Sequence, residues 1–144
     1  MLHIPYRGAG PALTDLLGGQ VQASMPTLVS AIEHIRAGKV RALAVTAASR
    51  ASVLPDIPTL REFVPGYDAT VWWGIAAPKS TPVDIIQKLH TEINAGLANP
   101  AVGGRIAELG DAAFASSQEN FATVIADDAA KWGNVIRTAG IRAE

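Results

Sequence analysis

Between Leu2 and Thr46 the sequence switches repeatedly between strand-like and helix-like patterning, with a turn signal at each switch. Leu2 to Tyr6 (LHIPY) predicts a short strand, and Arg7-Gly8-Ala9-Gly10 turn the chain. Pro11 opens a short helix whose apolar side is Leu13, Leu16 and Leu17, and Gly18-Gly19 end it. Gln20 to Met25 reads as a second strand and Pro26-Thr27 as a turn. Ser30 with Glu33 makes a capping-box pattern ahead of a helix over Ala31 to Ala37. That helix points Ile32 and Ile35 inward, and Gly38 closes it. Val40 to Thr46 is almost continuously apolar, as in a strand covered on both faces. Such alternation of strand and helix is the pattern of an α/β layer fold with a parallel sheet.

After Thr46 the pattern loosens. Pro55, Pro58, Pro65 and Gly66 stiffen a long connection, with a helical turn at Thr59 to Phe63. Thr70 to Ala77 (TVWWGIAA) reads as a strand, so Trp72 and Trp73 face opposite ways. One indole then packs in the core and the other lines a cleft or covers an edge, but the area an indole buries favours core packing for both. Thr81-Pro82-Val83-Asp84 starts a helix with Thr81 as cap and Pro82 first. Ile86, Leu89, Ile93 and Leu97 form its apolar stripe. A shorter helix follows Asn99-Pro100 and ends at Gly110, and Ala112 to Ala115 could add a small strand. Ser116 with Glu119 opens a long helix to Ala139, closed by Gly140. Its expected buried face is Phe121, Val124, Ile125, Trp132 and Ile136.

Chemistry is sparse by comparison. No cysteine is present, which excludes disulfides and thiolate catalysis. The net charge of −1 offers no electrostatic footprint for nucleic acid. His3, His34 and His90 show no metal-ligand spacing, and His90 is expected on a solvated helix face. Asp127-Asp128 are adjacent on a helix and read as a solvated pair. Gly8-Ala9-Gly10 begins like a dinucleotide fingerprint, but Leu13 stands where the next glycine is required. No catalytic residue, metal site or cofactor is predicted, and the chain reads as binding without chemistry. No apolar run approaches the roughly 20 residues of a membrane helix. No signal-peptide pattern stands at the start of this numbering.

The first loop is the strongest candidate for binding. A glycine turn that feeds a helix start presents backbone N–H groups without internal partners, at the positive end of the helix dipole. Gly8 and Gly10 let a ligand approach the backbone. Such a turn can bind an anion, but taken alone the same glycines are better explained as a plain tight turn.

The order of motifs resembles the Bug (TctC-like) substrate-binding proteins of tripartite tricarboxylate transporters. The resemblance rests on His3-Ile4-Pro5-Tyr6-Arg7-Gly8 and on Pro11 through Val21 (PALTDLLGGQV). It continues through Ala37 to Thr46, Arg50, Leu54 to Thr59, Pro65-Gly66-Tyr67, Trp72-Trp73-Gly74, Ala77-Pro78 and Thr81-Pro82. It closes on Trp132, Val135-Ile136 and Ala139-Gly140-Ile141. It implies a periplasmic-binding-protein-like (type II) α/β fold: a two-lobed flytrap with mostly parallel sheets, incomplete here. The family is about twice as long, so the match is to its C-terminal half. Residues 1–68 then belong to the second, ligand-binding lobe. Residues 69–144 supply a crossover strand and the C-terminal helices of the first.

The resemblance also implies a periplasmic, non-enzymatic receptor that captures a small carboxylate and hands it to membrane transporter subunits. The ligand would be held between lobes by Tyr6, Gly8, Ala9, Gly10, Pro11 and Ala12, helped by Thr27, Thr46 and Trp73. Pro26 stands where the family often carries an acid, so a plain carboxylate is expected rather than an amine-bearing one. An alternative reading is a homo-oligomeric assembly module that no longer binds solute, since incomplete lobes leave sheet edges and helix faces to cover. A homodimer would cover them.

Overall fold

The computed structural model describes residues 2–141. Met1 and residues 142–144, the ends of the two expected lobe segments, lie outside the described residues. Five α-helices follow one another: α1 (Ala9–Leu17), α2 (Leu28–Arg36), α3 (Val83–Leu97), α4 (Pro100–Glu108) and α5 (Gln118–Ala139). A 3₁₀ turn, Leu60–Glu62, lies between α2 and α3. The chain divides into two compact units. One runs to Ala77 and takes in Pro100–Ala113; the other joins Pro78–Asn99 to the residues from Phe114 onward. α4 thus belongs to the same unit as α1 and α2.

In the first unit α1 packs against α2, and Leu13, Ala31 and Ile32 are its buried apolar side chains. Leu13 and Ile32 are residues that the helical periodicity had turned inward. Both helices end as expected from their glycines. Gln20 N–H donates to Asp15 O (2.8 Å) and Lys39 N–H to His34 O (2.9 Å), the bond pattern that closes a helix through a left-handed residue. α4 is tied back by the Arg36 guanidinium, which donates to Glu108 O at 2.9 Å. Behind α4, Gly110 takes φ +90°, and a Cβ there would stand 2.5 Å from Leu28 Cδ2. Only glycine lets α4 end so close to the start of α2.

The helix starts are shifted from expectation. α1 opens at Ala9, so Pro11 is its third residue rather than its first. Proline is tolerated there because no intrahelical carbonyl waits for that N–H. α2 opens at Leu28 with Thr27 as its cap, not at Ser30. Ser30 is in its first turn, and its hydroxyl donates back to Thr27 O at 2.7 Å. α3 is capped by Pro82 rather than Thr81, and α5 by Ser117 rather than Ser116.

None of the five stretches expected as strands forms a ladder among the described residues. One parallel bridge, Val45 to Thr59, is the pairing that forms. A strand persists only where a neighbour takes up its N–H and C=O groups. Val40 to Thr46 finds one at its end alone: Val45 N–H donates to Pro58 O and Leu60 N–H to Val45 O, both at 2.9 Å. Earlier in this stretch Leu43 is 66% exposed, so the expected cover on both faces is lacking. The parallel sense of the bridge is that of the expected sheet.

The loop after the bridge is clamped by Arg50. Its guanidinium holds the Glu62 carboxylate with two bonds (2.9 and 2.7 Å) and reaches Pro55 O at 3.1 Å. Glu62 also accepts the Thr59 N–H at 2.9 Å, completing a capping box on the 3₁₀ turn. These bonds hold the Glu62 carboxyl down to about 2, Arg50 contributing most and the Thr59 N–H next.

The second unit departs further from its sequence pattern. The apolar face expected to be buried on α5 is exposed at Val124, Ile125, Trp132 and Ile136, as is Leu89 on α3. His90 is not on a solvated face. Its Nε2 stands 2.9 Å from Ser116 O, half-buried, and ties α3 to the residues that lead into α5.

Candidate functional site

The start of α1 is built from a residue without a side chain. Gly8 is the cap, at φ +114° and ψ 177°, a conformation that L side chains rarely adopt. A glycine cap offers no side-chain oxygen to the first-turn N–H groups, and α1 carries no acid in that turn. With the helix opening at Ala9, the Gly8, Ala9 and Gly10 N–H groups precede the first intrahelical bond. Pro11 has no N–H, and the Ala12 N–H faces the Gly8 carbonyl in the helical pattern. The free donors are therefore those of Gly8, Ala9 and Gly10; of the expected residues, Pro11 and Ala12 offer none. A Cβ built on Gly10 meets nothing within 4 Å, so the space beside these donors is open.

Tyr6 reaches the same helix from the incoming chain. Its hydroxyl donates to Asp15 Oδ2 at 2.7 Å, in a half-buried setting. That hydrogen bond, more than burial, raises the Tyr6 phenol above its usual value of 10.0. Asp15 was not among the expected site residues. The bond spans an irregular turn, where no periodic rule pairs side chains, so no sequence signal announced it.

The other expected residues are placed by other elements of the same unit. Thr27 heads α2, which packs on α1, and its Oγ1 lies 3.0 Å from Ser30 Oγ. Thr46 follows the parallel bridge, and its carbonyl accepts the Ala69 N–H at 3.1 Å. Trp73 is 72% exposed and its neighbour Trp72 half-buried, so the favoured expectation that both indoles pack in the core is not met; adjacent residues on an extended chain face opposite ways.

No group of three or more His, Asp or Glu is placed to hold a metal ion among the described residues. Among them, too, no helix is long and apolar enough to cross a membrane. A shallow depression lined by His90, Gln87, Ser117 and Glu119 lies beside the start of α5. There the first turn is already occupied by its own side chains. Ser117 Oγ accepts the Asn120 N–H at 3.1 Å. Glu119 is held below its usual value, first by a backbone N–H and then by the Ser117 hydroxyl.

Known proteins resemble this chain in sequence and fold. Protein BugT of Bordetella pertussis is 37% identical over 140 residues, which is 96% of this chain and 43% of BugT. The structure of R. palustris Rpa4515 with adipate matches at a TM-score of 0.90 and 34% identity, over 96% of this chain and 46% of that one. The periplasmic binding protein BugD matches at 0.91 and 34%, over 100% of this chain and 49% of BugD. The chain spans less than half the length of each of these proteins. These likenesses establish the periplasmic-binding-protein fold that the family resemblance implied. The family model of the tripartite tricarboxylate transporter family receptor (TctC) matches residues 1–141, and the chain belongs to that family.

Proposed function

We propose that the chain carries the carboxylate-binding part of a solute receptor for a tripartite tricarboxylate transporter. The observation that carries the reading is the open start of α1, with a glycine cap and no first-turn acid. One carboxylate oxygen of a ligand takes the Ala9 and Gly10 N–H groups, and Gly8 lets it approach. Thr27, Thr46 and Trp73 complete the pocket from neighbouring elements. The adipate in Rpa4515 supports a dicarboxylate as ligand class. Residues 1–68 belong to the ligand-binding lobe of such a receptor, and residues 69–144 to its crossover and the helices of the other lobe. Ligand shifts a pre-existing equilibrium toward the closed form, which the membrane subunits recognise. The receptor works in the periplasm, as BugD does.

A thermal-shift titration with adipate tests this reading. At a hundredfold excess over its dissociation constant, a ligand adds about 2.7 kcal/mol, a rise of several degrees. The rise is expected to disappear in Gly10→Val. No rise with adipate or with shorter dicarboxylates would remove the reading.

A second reading, a homo-oligomeric assembly module, is favoured by the apolar side chains exposed on α3 and α5. Light scattering decides it: a monomer at high concentration leaves those faces uncovered and sinks the idea.

A further inference from the structure

We propose that the Tyr6–Asp15 hydrogen bond is a clip that holds the donors at the start of α1 in register, and that Tyr6 gives the ligand no hydrogen bond. The inference rests on the carboxylate reading of that helix end. It changes the role expected of Tyr6 from ligand contact to positioning residue, and it adds Asp15, which was not among the expected site residues.

The chemistry of the phenol carries the argument. Tyr6 has one O–H, and it is spent on Asp15 Oδ2 at 2.7 Å. The lone pairs left on the Tyr6 oxygen only accept, and a carboxylate has no proton to donate. Tyr6 therefore cannot serve a carboxylate ligand while the clip is closed. An O–H···O⁻ bond of this length is among the stronger hydrogen bonds of a protein.

The geometry says what the clip does instead. Tyr6 lies just before the turn and Asp15 well inside α1, so their bond closes a ring of chain around Gly8, Ala9 and Gly10. Two of these three are glycines, the residue with the widest choice of backbone angles. Gly8 sits at φ +114° with nothing within 4 Å of its would-be Cβ, so no packing beside that Cβ holds this angle. The bonded ring ends constrain it instead. Opening the clip lets the Gly8 angles drift, and the N–H groups of the turn move with them. It also leaves the Asp15 charge without its phenol partner on the helix that has to attract an anion.

Four variants separate the possibilities, read by adipate titration in a calorimeter and by ultraviolet titration of the phenols. Tyr6→Phe and Asp15→Ala are each expected to weaken adipate about tenfold, and the double variant by no more than either, because one interaction is lost in all three. Asp15→Asn keeps an acceptor oxygen and is expected to bind within about threefold of the parent. In Asp15→Ala the raised phenol titration returns toward 10.0, the usual value. Loss of adipate in Tyr6→Phe with none in Asp15→Ala would overturn the proposal, since Tyr6 would then touch the ligand itself. Loss in Asp15→Asn equal to that in Asp15→Ala would overturn it too, by showing that charge and not the clip matters. If adipate binds the parent and is lost in Gly10→Val while all the clip variants bind alike, only the clip fails. If the parent binds no dicarboxylate, the carboxylate reading fails and the clip's role with it.

Discussion

Two helix starts in this chain solve the same electrostatic problem in opposite ways. α5 satisfies its first turn internally: Ser117 caps it, and Glu119 places a carboxylate among the same N–H groups. α1 does neither; its cap is glycine and its first turn has no acid. The dipole and the orphan donors are common to both helices. What differs is whether the protein's own side chains supply the negative partner. A capped start contributes stability, and an uncapped one next to a glycine turn gives that up and keeps the donors available. The division follows the two units. In the second, α3 and α5 each carry a first-turn acid, Asp84 and Glu119. In the first, neither α1 nor α2 carries one.

The units also differ in how they are held, and the largest expected effect tests that. The first depends on a close backbone approach at Gly110, which keeps the end of α4 against Leu28 and Val53. Gly110→Val forces a β-branched residue to a positive φ and crowds Leu28. It is expected to cost about 3 kcal/mol in a urea melt followed by circular dichroism. A loss near zero would show that α4 is not locked to α2, and the contrast between the units would fall.

Next in size is a change that makes α1 resemble α5. Ala9→Asp puts an acid in the first turn of α1, where Glu119 stands in α5. The helix gains a little, about 0.3–1 kcal/mol, because the charge answers the dipole. Adipate should bind roughly tenfold to a hundredfold more weakly, because the site now holds a like charge. Affinity and stability therefore move in opposite directions in one variant. Calorimetry and a thermal melt on the same sample measure both. Undiminished affinity would place the ligand elsewhere and break the comparison.

How much of this was legible follows from which interactions are local. The glycines that end α1, α2 and α5 and the inward turn of Leu13 and Ile32 were readable, because each depends on a few neighbouring residues. The donor turn at Gly8 was readable for the same reason, although the helix begins two residues sooner than Pro11 suggested. The strands were not. Val40 to Thr46 carries strand composition, but pairing is a property of two segments, and only its last residues meet another. The apolar stripes of α3 and α5 were read correctly as stripes. That they stay exposed depends on what packs beside them, which periodicity does not encode. The long-range polar ties, Tyr6 to Asp15 and Arg36 to Glu108, were invisible for want of any spacing rule.

The smallest expected effect is in acid, and it sets one carboxylate of each unit beside the other. Glu62 steadies the loop of the first unit, and Glu119 the start of α5. Both are held below the ordinary value of 4.5, Glu62 down to about 2. A depressed carboxylate stabilises the folded state above its unfolded value, and the contribution is lost as pH falls through the folded one. For Glu62 the window therefore runs from 4.5 down to about 2. Both carboxylates are solvent-exposed, so each contributes modestly. The stability gap between the parent and Glu62→Gln is expected to stay constant above that window and to narrow through it. For Glu119→Gln the gap should also narrow in acid. High salt separates the two, since the Arg50–Glu62 pair is screened by ions, whereas a carboxylate bonded to a backbone N–H keeps its partner at hydrogen-bond distance. A urea melt at each pH, repeated in about 1 M sodium chloride, where screening acts over about 3 Å, measures all four gaps. Salt should shrink the Glu62 gap more than the Glu119 gap. Equal shrinkage would mean that α5 relies on diffuse charge rather than on its cap, and the contrast between the two helix starts would then rest on α1 alone.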